Sequence, residues 1–121
     1  MTTGKAIILF GHGSRDPLWR QPIEAVAARI TQFRPDQAVR CAYLELEQPD
    51  LATAASQLVA QGATRITIVP MFLGTGRHAR EDLPVLVEAL RQAHSQVVFS
   101  LQRAVGEDPR VIDVLATIAL E

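Results

Sequence analysis

The sequence predicts an α/β fold in which a four-stranded parallel sheet is covered by helices on both faces. Largely apolar runs alternate with segments whose apolar residues recur at helical spacing. The runs do not alternate between polar and apolar residues, which is typical of parallel strands buried on both faces. No linker or low-complexity stretch interrupts the pattern. We therefore predict a single (βα)₄ three-layer sandwich over residues 1–121.

Each predicted strand leads into a predicted helix. The strands are expected over residues 5–10, 38–45, 65–69 and 96–101. The helices are expected over about 18–33, from 51 to a cap at Gly62, over about 80–94, and from Pro109 onward. Asp50 and Asp108 are the expected N-caps of the second and fourth helices. Pro84 is expected in the first turn of the third helix, where a missing amide donor is tolerated.

The predicted topology brings three residues with metal-binding side chains to one edge of the sheet. Right-handed crossovers favour the strand order 2-1-3-4, which has a switch point between the first and third strands. Ligands of open α/β sheets bind in the crevice beyond the carboxyl ends of the strands at such a point. His12 and His78 follow these two strands, and Glu45 ends the second. All three are expected to converge there.

Composition excludes several classes of protein. The formal net charge is −1, so the chain lacks the basic balance of nucleic-acid-binding proteins. Cys41 is the single cysteine, which excludes an intrachain disulfide, and its place in a predicted strand indicates a core residue rather than a reactive thiol. No apolar run reaches the ~20 residues that span a bilayer, and residues 1–5 lack the parts of a signal peptide. We expect a cytoplasmic protein that binds neither membranes nor nucleic acids.

The three residues expected at the carboxyl edge of the sheet, His12, Glu45 and His78, suit a divalent transition metal. Two imidazoles and a carboxylate bind borderline metals without the strong grip of thiolates. Gly11 and Gly13 let the backbone turn sharply around His12 and leave its imidazole exposed. Taken singly, His12 is also explained as a turn residue. Glu45 is also explained as a solvated strand end, where it and Glu47 are expected to point to one side.

Basic and apolar residues surround the predicted metal site. Arginine pairs bidentately with carboxylates, so guanidinium groups beside both histidine loops indicate a ligand that carries several carboxylates. The candidate arginines are Arg15, Arg20, Arg77 and Arg80, and Met71, Phe72 and Leu73 are the candidate apolar wall. For Arg20, a scattered, solvated surface charge is also a reasonable interpretation.

Five stretches in register resemble the small class II tetrapyrrole chelatases, the CbiX-type sirohydrochlorin chelatases. They are LFGHGSR at 9–15, YLE at 43–45 with Gln48-Pro49 after it, VPMFL at 69–73 running on to GRH at 76–78, REDLP at 80–84 and GEDPR at 106–110. The resemblance covers nearly the whole chain. One departure is Arg77, because a less charged approach to the histidine is expected.

The resemblance implies an enzyme that inserts a divalent metal into sirohydrochlorin or a related polycarboxylate tetrapyrrole, for cobalamin or sirohaem-type cofactors. Co²⁺ is the first expectation, and Fe²⁺ and Ni²⁺ are the alternatives. No cofactor beyond the metal substrate and no partner beyond a second copy of the chain is expected. By this similarity His12, Glu45 and His78 are the metal-binding and catalytic residues. The implied substrate-binding residues are Ser14, Arg15, Phe72, Leu73, Arg77 and Arg80.

Two other functions remain open at this point. A metal or tetrapyrrole carrier would use the same residues to hold its ligand without inserting the metal. A histidine-dependent phosphatase is suggested by a histidine beside glycine and arginine, but it requires an arginine where Gly11 stands. The chelatase is the preferred interpretation, with either His12 or Glu45 accepting the pyrrole protons.

Overall fold

The computed structural model describes residues 4–121, and its centre is a four-stranded sheet in the order β2-β1-β3-β4. All three strand pairs are parallel. The strands are β1 (Lys5–Gly11), β2 (Ala38–Tyr43), β3 (Arg65–Pro70) and β4 (Val98–Leu101). The helices are α1 (Gln21–Phe33), α2 (Leu51–Ala60), α3 (Arg77–Ala93) and α4 (Pro109–Leu120), and two short 3-10 helices span Pro17–Arg20 and Val105–Glu107. The predicted fold class and strand order are confirmed.

The apolar core lies mainly on the face of the sheet that α2 and α3 cover. Ile8, Phe10 and Ile68 of the two central strands are fully buried there among residues of both helices. A smaller cluster around Leu9 and Tyr43 lies under α1 on the opposite face. α4 adds no buried residue to either cluster and packs chiefly against the 3-10 helix Val105–Glu107. The second face is therefore covered over β1 and β2 but not over β4.

The second strand is shorter than predicted. β2 ends at Tyr43, so Glu45 lies in the following loop and not in the strand. Leu46 adopts φ 65°, in the left-handed region, which breaks the extended conformation. Glu45 and Glu47 consequently do not point to one side. Glu45 contacts His12, whereas Glu47 contacts Arg20.

Two helix starts also differ from prediction. The first helical segment opens with the 3-10 turn Pro17–Arg20, and α1 proper begins at Gln21. α3 begins three residues earlier than expected, with Gly76 as its N-cap, so Pro84 lies inside the helix. Tertiary contacts of the helix outweigh the unfavourable proline, because buried Leu83 and Val87 flank it. This shift moves His78 from a loop into the first turn of α3.

The predicted caps are confirmed. The Asp50 carboxylate accepts a hydrogen bond from the Thr53 amide at 2.8 Å, and its interactions with the side chain and then the amide of Thr53 lower its pKa. The Asp108 carboxylate accepts from the Arg110 amide at 2.8 Å and pairs with its guanidinium, which lowers the pKa of Asp108 to about 2. Gly62 follows α2 with φ +100°. Within residues 4–121, no helix is both long enough and apolar enough to cross a membrane.

Cys41 should react slowly in the folded protein. Its thiol is half-buried under α1, and burial raises its pKa, with a further contribution from the charge of Glu24. A raised pKa lowers the fraction of thiolate, which is the reactive form, at any pH below it. At pH 8 we expect alkylation by iodoacetamide, followed by mass spectrometry, to be slower in buffer than in guanidinium chloride by about tenfold or more. Equal rates would contradict this assignment.

Candidate metal and substrate site

His12 and Glu45 form a contact just beyond the carboxyl ends of β1 and β2. The imidazole Nε2 lies 3.0 Å from the Oε1 atom of Glu45, and both side chains are about half exposed, at 49% and 55%. β1 and β2 are neighbouring parallel strands, so residues that follow them emerge at the same edge of the sheet. An imidazole and a carboxylate in this arrangement offer two donor atoms to a metal that enters from solvent.

The backbone holds this pair in place. The amide of Leu44 donates to the carbonyl of Gly11 at 2.9 Å, and the amide of Glu45 donates to the carbonyl of His12 at 3.1 Å. Gly13 has φ +103°, and a Cβ atom there would overlap the carbonyl group of Glu45. Glycine is thus required at this position both for its conformation and for the close approach of the two loops. Of the two glycines that flank His12, Gly13 permits this approach, whereas an added Cβ at Gly11 would meet the side chains of Ile23 and Trp19.

Glu47 has a structural role in the same loop. Its carboxylate, 6% exposed, accepts a hydrogen bond at 2.7 Å from Arg20, which also contacts Glu24 at 3.3 Å. The Glu47 contact raises the pKa of the Arg20 guanidinium, which stays charged. A nearly buried carboxylate needs such a partner, and the pair ties the loop after β2 to the start of α1. Arg20 is therefore neither a free rim cation nor a scattered surface charge.

His78 lies apart from the His12–Glu45 pair. It occupies the first turn of α3, where its side chain is exposed. Across residues 4–121, no three histidine, cysteine, aspartate or glutamate side chains lie close enough together to hold a metal ion. The structure therefore brings together two of the three predicted ligands and leaves the third on a different element of the same edge.

The predicted apolar wall is divided between core and solvent. Phe72 is half-buried and packs edge-to-face on Phe10, with ring centroids 6.2 Å apart, so much of it belongs to the core. Met71 packs against the smaller cluster on the opposite face. Leu73 is 70% exposed. Of the three, Leu73 offers the largest apolar surface to a ligand.

The polar residues predicted to bind substrate differ in their freedom to do so. The Ser14 hydroxyl accepts a hydrogen bond from the Asp16 amide at 3.1 Å, which shapes the loop. Arg77 forms an ion pair with Glu81 at 3.1 Å one turn along α3. Arg15 and Arg80 are exposed, and neither forms an ion pair within the part of the chain that the structure describes. These two guanidinium groups are the most available to an anionic ligand.

A cavity beside the start of α3 adds a residue that sequence reasoning missed. It has a volume of about 360 Å³ and lies between α3 and the β4–α4 connection. Arg80 and Arg103 line it together with apolar Leu83 and Leu101, and Glu107 also reaches it. Arg103 lies two residues after the end of β4, so its position just after a strand was the signal that would have found it. The cavity suits a ligand arm that is apolar along its length and anionic at its end.

The β4–α4 connection is fastened to the loop that carries Leu73. The amide of Gly106 donates to the carbonyl of Phe72 at 2.9 Å. A Cβ atom at Gly106 would overlap the backbone of Leu73, so only glycine permits this approach. The loops after β3 and β4 therefore form one wall of the crevice.

Comparison with known proteins identifies the family. The model of the CbiX family matches residues 6–120. The chain belongs to the CbiX family. The predicted resemblance is confirmed, and the match includes all of the residues discussed at the carboxyl edge of the sheet.

The names of two relatives of this chain specify different metals, cobalt and iron. The sirohydrochlorin cobaltochelatase of Methanopyrus kandleri is 33% identical over 82 residues, covering 68% of this chain and 57% of its own length. The sirohydrochlorin ferrochelatase of Bacillus subtilis is 33% identical over 108 residues, covering 89% of this chain and 41% of its own length. This chain thus spans between two fifths and three fifths of these two relatives.

A solved structure supports the fold. A CbiX protein from Marinobacter aquaeolei VT8 superposes with a TM-score of 0.82 at 34% identity, over 95% of this chain and 93% of that one. A four-stranded parallel sheet of this order is therefore the fold of the family.

Replacement of Gly13 by alanine should separate the two site loops. An added Cβ would overlap the Glu45 carbonyl at a positive φ, so the His12–Glu45 contact and the folded state should both be lost in part. We expect a loss of about 1–3 kcal/mol in the free energy of unfolding, measured with urea. Gly74→Ala is the matched control, because nothing lies within 4 Å of an added Cβ there. Equal losses in the two variants would contradict the close-approach argument.

Proposed function

We propose that this chain is a chelatase that inserts a divalent metal ion into sirohydrochlorin or a closely related polycarboxylate tetrapyrrole. The observation that carries the proposal is the half-exposed His12–Glu45 pair at the carboxyl edge of a CbiX-family sheet. The names of the Methanopyrus and Bacillus relatives supply the substrate and the class of reaction. Co²⁺ is the proposed metal, with Fe²⁺ and Ni²⁺ as alternatives.

His12 and Glu45 have properties that suit delivery of a metal rather than storage. A chelatase must release its metal, and a neutral imidazole with one carboxylate binds borderline ions less tightly than thiolates do. Both side chains are reached by solvent, so a hydrated ion and a macrocycle have access to them. His78 is the proposed third ligand. Because it lies apart on α3, the proposal requires the segment between β3 and α3 to approach when metal or macrocycle binds.

The same pair provides a route for the pyrrole protons. Insertion of one divalent ion forms bonds from the metal to the ring nitrogens and releases two N–H protons. The His12 imidazole is proposed to accept one proton and become a cation, which Glu45 at 3.0 Å from Nε2 stabilises, and the Glu45 carboxylate or solvent water takes the other. Metal binding and proton acceptance use the same lone pairs of His12 and Glu45, so we propose that they occur in sequence. The metal first leaves these side chains for the ring nitrogens, and the side chains then take up the pyrrole protons.

The arginines of the crevice are proposed to hold the carboxylates of the macrocycle. Arg15, Arg80 and Arg103 are exposed along this edge of the sheet, and Arg80 and Arg103 share one cavity. Leu73 provides apolar surface for the ring. Ser14, Phe72 and Arg77 are retained as substrate-binding residues in the proposal, although each also has a contact within the protein.

The remaining elements of the proposal concern context. We propose that residues 1–121 act as one chelatase-like domain, that it pairs as a homodimer, and that it works in the cytoplasm in the biosynthesis of cobalamin or a sirohaem-type cofactor. The metal ion is a substrate, and no resident cofactor is proposed.

Metallation should depend on His12 and Glu45. Anaerobic absorbance spectroscopy of sirohydrochlorin with Co²⁺, Fe²⁺ or Ni²⁺ should show insertion above the spontaneous rate. His12→Ala and Glu45→Gln should each reduce kcat/KM by about 10²-fold or more, as expected for loss of a ligand that also handles protons. His94→Ala is the matched control, since His94 lies at the other end of α3 and contacts Phe99.

A carrier would give a different result in the same assay. Tight binding of the macrocycle with no acceleration for any of the three metals would refute the enzyme and leave the carrier. A rate equally reduced in His94→Ala would also contradict the role of the His12–Glu45 pair.

Arg103 should contribute to substrate binding rather than to chemistry. Arg103→Gln removes a charge from the cavity that Arg80 also lines, so KM for the macrocycle should rise by about tenfold with a smaller change in kcat. Arg34→Gln is the matched control, because Arg34 is exposed at the end of α1, away from the carboxyl edge. Equal KM values for Arg103→Gln and the unaltered protein would exclude Arg103 from the site.

A further inference from the structure

A tight turn separates the half-exposed Glu45 from the nearly buried Glu47. The amide of Glu47 donates a hydrogen bond to the carbonyl of Glu45 at 2.8 Å, and Leu46 between them has φ 65°. A hydrogen bond that closes three residues around a positive central φ is that of the rare and strained form of γ-turn. Across this turn one carboxylate faces solvent and His12, and the other faces Arg20.

Leucine does not hold this conformation by its own preference. At positive φ its Cβ crowds its own backbone, and such conformations persist only where the surrounding structure fixes them. The Leu46 side chain is exposed, so packing in the core does not fix it. The strained turn must therefore be held from its two ends.

One end of the turn is held by the backbone and the other by an ion pair. The amide of Glu45 donates to the carbonyl of His12 at 3.1 Å. At the other end the Nη1 atom of Arg20 lies 2.7 Å from the Oε2 atom of Glu47. Arg20 stands where the 3-10 helix joins α1, and its Nε atom lies 3.3 Å from the carboxylate of Glu24, one turn along the helix. The guanidinium is thus itself fixed in direction.

The ion pair keeps the Glu47 carboxylate turned inward. A carboxylate withdrawn from solvent is stable as an anion only while a cation faces it. Among residues 4–121, Arg20 is the only ion-pair partner of Glu47. Without Arg20, the carboxylate would be better solvated if it rotated out to water. That movement would open the turn at Leu46 and displace Glu45 from His12.

We propose that Arg20 and Glu47 are positioning residues that hold the Glu45 carboxylate against the His12 imidazole through the γ-turn at Leu46. The inference rests on the proposed metal-binding role of His12 and Glu45 and deepens it by naming what fixes the geometry of the pair. Groups that orient metal ligands without touching the metal set its affinity by about 10- to 100-fold. Arg20 therefore acts on metal affinity before any macrocycle is present.

Co²⁺ binding without macrocycle tests the ion pair. In isothermal titration calorimetry, Arg20→Met should raise the Kd for Co²⁺ by about tenfold. Arg20→Met/Glu47→Gln should bind Co²⁺ more tightly than Arg20→Met alone, because it leaves no buried carboxylate without a partner. Arg91→Met is the matched control and should leave the Kd unchanged, since it removes an arginine that pairs with Glu88 at the far end of α3.

Two substitutions at Leu46 test the turn and leave the ion pair untouched. Glycine adopts a positive φ freely, whereas valine, branched at Cβ, strongly disfavours it. Leu46→Gly should therefore keep the Kd for Co²⁺ close to that of the unaltered protein, and Leu46→Val should raise it by about tenfold. Neither change removes core packing, because Leu46 is exposed. Far-UV circular dichroism checks that each variant is folded, and the Leu46 pair carries the test if Arg20→Met is not.

The results separate the positioning role from the metal site itself. His12→Ala and Glu45→Gln are titrated in parallel. Weaker Co²⁺ binding in these two, with Arg20→Met and Leu46→Val unchanged, would overturn the positioning role alone. Unchanged binding in His12→Ala and Glu45→Gln would refute the metal site and this inference with it.

Metallation kinetics separate positioning from substrate contact. A higher KM for the macrocycle in Arg20→Met, with no change in the Kd for Co²⁺, would overturn the inference and make Arg20 a substrate contact. Co²⁺ binding that follows the expectations above, in a protein that does not catalyse metallation, would support the positioning role and refute only the chelatase.

Discussion

The close approach of the loop after β1 to the loop after β2 is the constraint on which the candidate site depends. Two backbone hydrogen bonds, from Leu44 to Gly11 and from Glu45 to His12, extend the contact of the two strands beyond their ends. Only glycine at position 13 permits the chains to come so near. The His12–Glu45 pair follows from this backbone arrangement, so its geometry is set before any metal arrives.

The two faces of the sheet are used differently. α2 and α3 bury the larger cluster, which gives the central strands a rigid base and holds their carboxyl ends in register. On the opposite face α1 covers β1 and β2, and within residues 4–121 no helix packs over β4. The candidate site lies at the carboxyl edge of the sheet and not on this uncovered face.

The fold was largely predictable because apolar strands and amphipathic helices impose a parallel sheet whatever their finer contacts are. The errors fell at element ends. The apolar pattern around Leu44 suggested a longer strand, but β2 ends at Tyr43 and the chain then turns through Leu46 in the left-handed region. Pro84 suggested a late start to α3, but packing of Leu83 and Val87 holds the helix through the proline. At such ends local propensity competes with tertiary contacts, and the sequence pattern does not record the contacts.

By itself the sequence determined the strand order, the caps at Asp50 and Asp108 and the edge at which His12, Glu45 and His78 emerge, because these depend on local patterning and the handedness of crossovers. Tertiary structure alone decided that His12 meets Glu45 across 33 positions of the chain while His78 stays apart. It also decided that Arg20 forms an ion pair with Glu47 and that α4 packs against the 3-10 helix Val105–Glu107 rather than on the sheet. Such pairings are set by the distances between residues remote in sequence, which the packing of the elements alone determines.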